Sequence, residues 1–281
     1  MPAQQASELD ADPLALDPET MRRMGYLVVD RLVERVAGLR HERVLTTASR
    51  AELVARIDEP PADAGIAFEQ LIDRLERDVL PYVGHFDHPR CFAYIPGAGT
   101  WPSALGDLIA SATNIDAGAW REASGPTQLE LTVLDWFRGW LGYPEGAGGV
   151  LVSGGSAANL SALACAREIL AGAMTERLVV YVSDQSHSSI ARAARQLGFR
   201  QDQVRVIAAD DDYRLRPADV AAAMDADLEA GRQPLLVAAV AGSTNTGAID
   251  PLSEIADVAH ARGAWLHVDA AYGGFAVLAE R

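Results

Sequence analysis

Four polar stretches of this sequence each follow an apolar run of strand length, and each carries residues that could do chemistry. SGGSAANLSAL (153–163) sets Gly154 and Gly155 ahead of Ser156 at the start of a helix-forming segment. Such a turn lets the backbone approach an anion and offers an amide and a hydroxyl where a helix dipole favours negative charge. The same residues also suit ordinary capping, and neither the Walker spacing nor GxGxxG is present. SDQSHSS (183–189) places His187 just past an apolar run, a position equally natural for a surface or capping histidine. AGSTNTGAIDP (241–251) supplies Ser243, Thr244 and Asn245, residue types that a polar turn also selects. AWLHVDAAYGG (264–274) carries Asp269 behind Trp265, Leu266 and Val268, in a run expected to be buried. A buried carboxylate is costly unless paired. No lysine exists to pair it, because all 24 basic residues are arginine.

A protonated heteroaromatic nitrogen would serve as the partner of Asp269. Pyridoxal 5'-phosphate has three handles for this set of residues: a phosphate for Gly155 and Ser156, a flat ring for His187 to stack on, and a pyridinium nitrogen for Asp269. A carboxylate at that nitrogen keeps it protonated and makes the ring an electron sink. The covalent link such a cofactor forms with a lysine amine has no candidate in these residues.

The elements that must position these groups follow from periodicity. From Gly149 onward, apolar runs at 150–152, 178–183, 204–208, 235–241 and 264–269 alternate with helical stretches around 156–172, 187–197, 217–231 and 252–262. Short apolar strands separated by helices predict an α/β fold with a mainly parallel sheet covered by helices on both faces. Ligands of such sheets sit beyond the carboxyl ends of the strands, where all four polar stretches fall. Ahead of this region, Asp17-Pro18-Glu19 is a helix start, and Met24, Leu27, Val28, Leu32 and Val36 recur at helical spacing. A short helix and a Pro-Pro break over 47–63 precede a second amphipathic helix through Phe68, Leu71, Ile72, Leu75 and Val79. Residues 1–85 thus read as a helical arm. Its apolar faces need either the main domain, residues 86–281, or a second subunit.

Composition narrows the partners. Apolar residues make up 49% and charged residues 22%, which fits a folded globular chain. The formal net charge of −15 repels phosphate backbones and anionic lipid, arguing against nucleic acid and membrane partners. Cys91 and Cys165 give neither a disulfide framework nor metal-ligand spacing. The acidic N-terminus lacks an apolar signal core, so a cytoplasmic protein is expected.

The chain resembles the group II pyridoxal-phosphate-dependent decarboxylases, the family of aromatic-L-amino-acid, histidine and glutamate decarboxylases. The resemblance rests on HPRCFAYIPG (88–97), the stretch from Trp120 to Glu130, LVSGGSAANLSAL, YVSDQSHSS and WLHVDAAYGG, in the family's order and approximate spacing. It implies a fold-type I architecture and phosphate contacts from Gly155 and Ser156. It further implies ring stacking by His187, a cofactor contact from Thr244, the pyridine-nitrogen partner in Asp269 and a ring-face contact from Ala271. Tyr94, Ile95 and Pro96 fall where the family lines its substrate pocket, and Trp120 is a further candidate there. The arm is the part that similar enzymes wrap around a second subunit, so a homodimer is implied. The family's Schiff-base lysine lies a few tens of residues beyond the equivalent of Asp269, which implies that these 281 residues are the N-terminal portion of a longer enzyme. The activity implied is decarboxylation of an L-amino acid, with an aromatic substrate open, and the chain alone is expected to be inactive. The alternatives are another fold-type I enzyme, such as an aminotransferase or aldehyde synthase, and a truncated homologue that only binds or dimerises.

Overall fold

A computed structural model describes residues 15–61, 63–95, 97–171 and 176–280. The chain divides into two compact units, Met1–Ala104 and Leu105–Arg281.

The first unit is helical. Helix α1 spans Pro18–Gly38, and its cap is the one the sequence announces, with Asp17 Oδ1 accepting from the amides of Glu19 and Thr20 at 2.9 and 3.0 Å. Helix α2 (Arg50–Ile57) opens on a capping box between Ser49 and Glu52, and Pro60 and Pro61 follow its end. Helix α3 (Phe68–Asp78) runs beside α1, tied to it by ion pairs of Arg23 with Glu69 and of Arg31 with Asp73 and Glu76. No residue of α1 is buried, and Met21, Tyr26, Leu32, Val33 and Val36 are exposed.

Two helices that periodicity did not announce come next. Helix α4 covers Trp101–Thr113 and reaches across the boundary of the units. Helix α5 covers Trp120–Trp140 and kinks at Ala123, where φ is −141° and ψ 44°. Pro126 explains the kink, since its ring has no N–H and crowds the carbonyl four residues earlier.

The rest of the second unit is the expected alternation. Helix α6 (Gly155–Ala171) leads to β1 (Leu178–Ser183), α7 (Ser188–Gln196), β2 (Val204–Ile207), α8 (Pro217–Glu229), β3 (Gln233–Val240), α9 (Leu252–Ala261) and β4 (Trp265–Asp269). The strands form one parallel sheet in the order β2-β1-β3-β4. Period-two alternation divides its core. Leu178, Val180 and Val182 of β1 and Leu236 and Ala238 of β3 pack with α6 and α7 through Leu163, Ala166, Ile190 and Ala193. Val179, Tyr181, Val237 and Ala239 face the other way, onto Val220 and Met224 of α8 and Ile255 and Ala259 of α9. The pairing slips by one residue opposite Val179 and Val180, leaving Leu235 as the extra residue beside Pro234. Proline is tolerated in this central strand because a bulge excuses its missing donor.

Two sequence expectations change. Residues 150–152 form no strand, and Val150, Leu151 and Val152 are 62, 52 and 39% exposed, because no described strand lies alongside them to complete a ladder. Strand β4 is half-buried rather than buried, since its outer edge has no strand partner among the described residues.

On the α8 side, Tyr181 Oη donates to Asp227 Oδ2 at 3.1 Å, and Arg205 of β2 donates to both oxygens of that carboxylate. The Arg205 hydrogen bonds chiefly hold the Asp227 carboxyl below its usual range. Its charge therefore stabilises the fold above the unfolded carboxylate pKa, and that part is lost as pH falls through the lowered folded value. Asp227→Ala is expected to cost about 1–3 kcal/mol at neutral pH by orphaning the buried Tyr181 hydroxyl. The deficit should shrink in acid; urea titrations at neutral and acid pH measure both effects. After β4 the chain turns back so closely that a Cβ on Gly273 would lie 2.3 Å from the Ala241 carbonyl oxygen, which Gly273 N–H itself meets at 3.0 Å. Gly273→Ala is therefore expected to lower stability by about 1–3 kcal/mol, read as a fall in melting temperature.

Candidate functional site

Strand β4 presents Trp265, His267 and Asp269 on one face by its period of two. That face looks toward α6 and α7, since Trp265 packs against the core they share with the sheet. Asp269 meets two donors there. Its Oδ2 accepts from Asn159 Nδ2 on α6 at 3.0 Å, and its Oδ1 accepts from the Ala271 amide at 3.2 Å. The same Asn159 Nδ2 lies 2.9 Å from Ser189 Oγ, and Ser189 Oγ lies 2.7 Å from His187 Nδ1. His187 caps α7, its Nδ1 accepting from the Ser189 amide at 3.3 Å. On the other side, Asn159 Oδ1 meets His267 Nε2 at 2.7 Å. Burial pushes the His267 imidazole down, against the upward pull of the Asp269 charge. One hydrogen-bonded chain thus joins His267, Asn159, Asp269, Ser189 and His187. No cation reaches Asp269 among the described residues.

Gly155 and Ser156 begin α6 beside this network. Both are exposed, and the Ala157 and Ala158 amides close the first turn on the Gly154 carbonyl at 3.0 Å each. Gly154 has φ +150°, a conformation that side-chain-bearing residues rarely adopt. A Cβ on Gly155 would stand 3.3 Å from the Ala271 Cβ, so the start of α6 and the residue two past Asp269 are near neighbours. With no acidic residue in its first turn, the α6 N-terminus keeps its partial positive charge.

Thr244 is exposed in the loop after β3, beside Ser243, whose buried hydroxyl meets Thr246 Oγ1 at 2.6 Å. Buried Asp250 fixes this loop, accepting from Val240 N at 2.7 Å and Leu215 N at 2.8 Å. Ala271 is exposed at the turn after β4. Trp120 is 56% exposed at the start of α5 in the same unit. Tyr94 and Ile95 belong to the first unit, where Tyr94, at φ +64°, packs edge-on against Phe86 with ring centroids 5.1 Å apart. Pro96 lies outside the described residues.

These residues fit pyridoxal phosphate in all but its covalent anchor. An anion-seeking helix start, a carboxylate with donors on both oxygens and a histidine with its Nδ1 engaged stand at one end of the sheet. No lysine is present to complete the set. Asn159, Ser189 and His267 were not singled out by the sequence, yet the first and the last left a signal there. Asn159 shares the helical face of Leu163 and Ala166, a polar residue on a core stripe, and His267 alternates in phase with Asp269.

Comparison with known proteins agrees. The family described as "Pyridoxal-dependent decarboxylase conserved domain" matches residues 52–281. The chain is 36% identical over 271 residues to an aromatic-L-amino-acid decarboxylase of Bacillus atrophaeus, covering 96% of this chain and 56% of that protein. It is 32% identical to a phenylacetaldehyde synthase of Arabidopsis thaliana, covering 94% and 56% respectively. Among solved structures it matches Oryza sativa TDC with PLP and tryptamine at a TM-score of 0.88 and 33% identity, covering 94% of this chain and 57% of that one. The chain thus spans about half the length of the curated relatives it matches. The chain belongs to the pyridoxal-dependent decarboxylase family.

Proposed function

We propose that the protein carrying this chain decarboxylates an L-amino acid, giving the corresponding amine and CO2. The observation that carries this reading is the Asp269 carboxylate, hydrogen-bonded into the same network as His187 and set beside the open start of α6. Bound pyridoxal phosphate supplies a protonated aromatic ring that accepts the electrons of the bond broken to release CO2.

In this reading each residue has a defined task. The amides and the Ser156 hydroxyl at the α6 N-terminus hold the phosphate. Asp269 keeps a proton on the ring nitrogen, which its charge favours and which the donors on its two oxygens leave it free to do. His187 and Ala271 flank the ring faces, and Thr244 offers a hydroxyl from the loop that Asp250 pins. Tyr94, Ile95, Pro96 and Trp120 are assigned to the substrate pocket on the strength of the family motif, and an aromatic side chain suits their character. The lysine lies outside these 281 residues. Residues 1–85 are assigned to contact with a second copy of the protein, since no residue of α1 is buried and Met21, Tyr26, Val33 and Val36 are exposed.

The similarity to an aldehyde synthase supports one other reading, in which the same site, with dioxygen as oxidant and water consumed, yields an aldehyde, CO2, ammonia and hydrogen peroxide. Ammonia release alongside CO2 from an amino-acid panel would favour it, and CO2 with the amine alone favours decarboxylation. In the full-length protein, Asp269→Ala is expected to cut CO2 release at least about a hundredfold while leaving the circular dichroism spectrum unchanged. Near-normal turnover in that variant would overturn the assignment.

A further inference from the structure

We infer that Asn159 is a positioning residue that fixes, through one amide group, the carboxylate at the ring nitrogen and ties it through Ser189 to the stacking histidine. The inference rests on the cofactor reading above and goes beyond it in assigning roles to Asn159, Ser189 and His267.

The donor and acceptor inventory fixes the orientation of the Asn159 amide. A primary amide has two N–H donors and one accepting oxygen, whereas an ionised carboxylate only accepts. Asn159 is 4% exposed, so bulk water does not substitute for these partners. Its nitrogen must face Asp269 Oδ2, because the flipped amide would set oxygen against oxygen across the 3.0 Å contact. With that orientation Oδ1 faces His267 Nε2 at 2.7 Å, so His267 carries its proton on Nε2. The second Nδ2 proton goes to Ser189 Oγ at 2.9 Å. Ser189 Oγ in turn lies 2.7 Å from His187 Nδ1, the atom that also receives the Ser189 amide. The negative charge of Asp269 thus orients the Asn159 amide and, through it, the His267 contact.

Two consequences follow for the bound state. Asp269 is held in one plane, with Oδ2 on Asn159 and Oδ1 on the Ala271 amide, so its remaining lone pairs have fixed directions. His187 is tied to the same amide through Ser189 Oγ. Both groups facing the ring thus answer to a single side chain, itself locked by His267.

The test uses the full-length protein loaded with pyridoxal phosphate carrying 15N in the ring, whose nuclear magnetic resonance shift reports ring-nitrogen protonation. Asp269→Asn provides the unprotonated reference. In Asn159→Ala the ring-nitrogen signal should move toward that reference, with kcat lower by about tenfold or more and KM within about twofold of the parent. His267→Gln, which keeps an N–H for Asn159 Oδ1, should recover most of what His267→Leu loses in both readouts. That pair decides the matter if Asn159→Ala fails to fold. A parental ring-nitrogen signal and kcat in Asn159→Ala, or equal behaviour of the two His267 variants, would overturn the inference. A parent protein that binds no pyridoxal phosphate or releases no CO2 would instead sink the functional reading beneath it.

Discussion

The carboxylate of Asp269 stands at the end of a half-buried strand with no cation among the described residues, and a charge in that position persists only where donors meet it. Those donors come from two places, the Asn159 side chain on α6 and the backbone of Ala271 beyond the strand. To deliver them, α6 must lie against the same sheet face as β4, and the turn after β4 must fold back tightly enough to return an amide. The first condition is met by the core of Leu163, Ala166, Val180 and Leu236, and the second by the close approach of Gly273 to Ala241. The fold in this unit can be read as the scaffold that makes one carboxylate tolerable and leaves it something to bind.

The parallel sheet explains why the other groups gather at the same end. Strands β1, β3 and β4 all run toward this edge, so His187, Thr244 and Asp269, each just past or at a strand's end, converge although 82 residues separate the first from the last. The start of α6 joins them there. Paired electrostatics on the opposite face, where Asp227 takes Arg205 and the Tyr181 hydroxyl, serve stability and have no part in this edge.

Much of this was legible in the sequence. Strands β1 to β4 and helices α6 to α9 follow from alternating apolar runs, and the start of α1 at Asp17 from its residue types. Residues 150–152 show the limit of that signal. Three apolar residues make a strand only when a neighbour offers its hydrogen bonds, and nothing in their own identity reveals that neighbour. Helices α4 and α5 escaped notice because small, apolar and proline-containing stretches such as GPTQLELTVL lack a clean polar face. The candidate site residues were legible because they stand next to glycines and strand ends. Asn159 and His267 were not, because their meaning lies in a contact across 108 residues of sequence.

The central claim is that Asp269 meets the nitrogen of a bound pyridoxal ring. A crystal structure of the full-length protein with pyridoxal phosphate tests it most directly. The account predicts the ring nitrogen within hydrogen-bonding distance of the Asp269 carboxylate, about 3 Å, with the phosphate at the start of α6 and Asn159 still bridging Asp269 and Ser189. A cofactor bound elsewhere, or an Asp269 carboxylate turned away from the ring nitrogen, would contradict it.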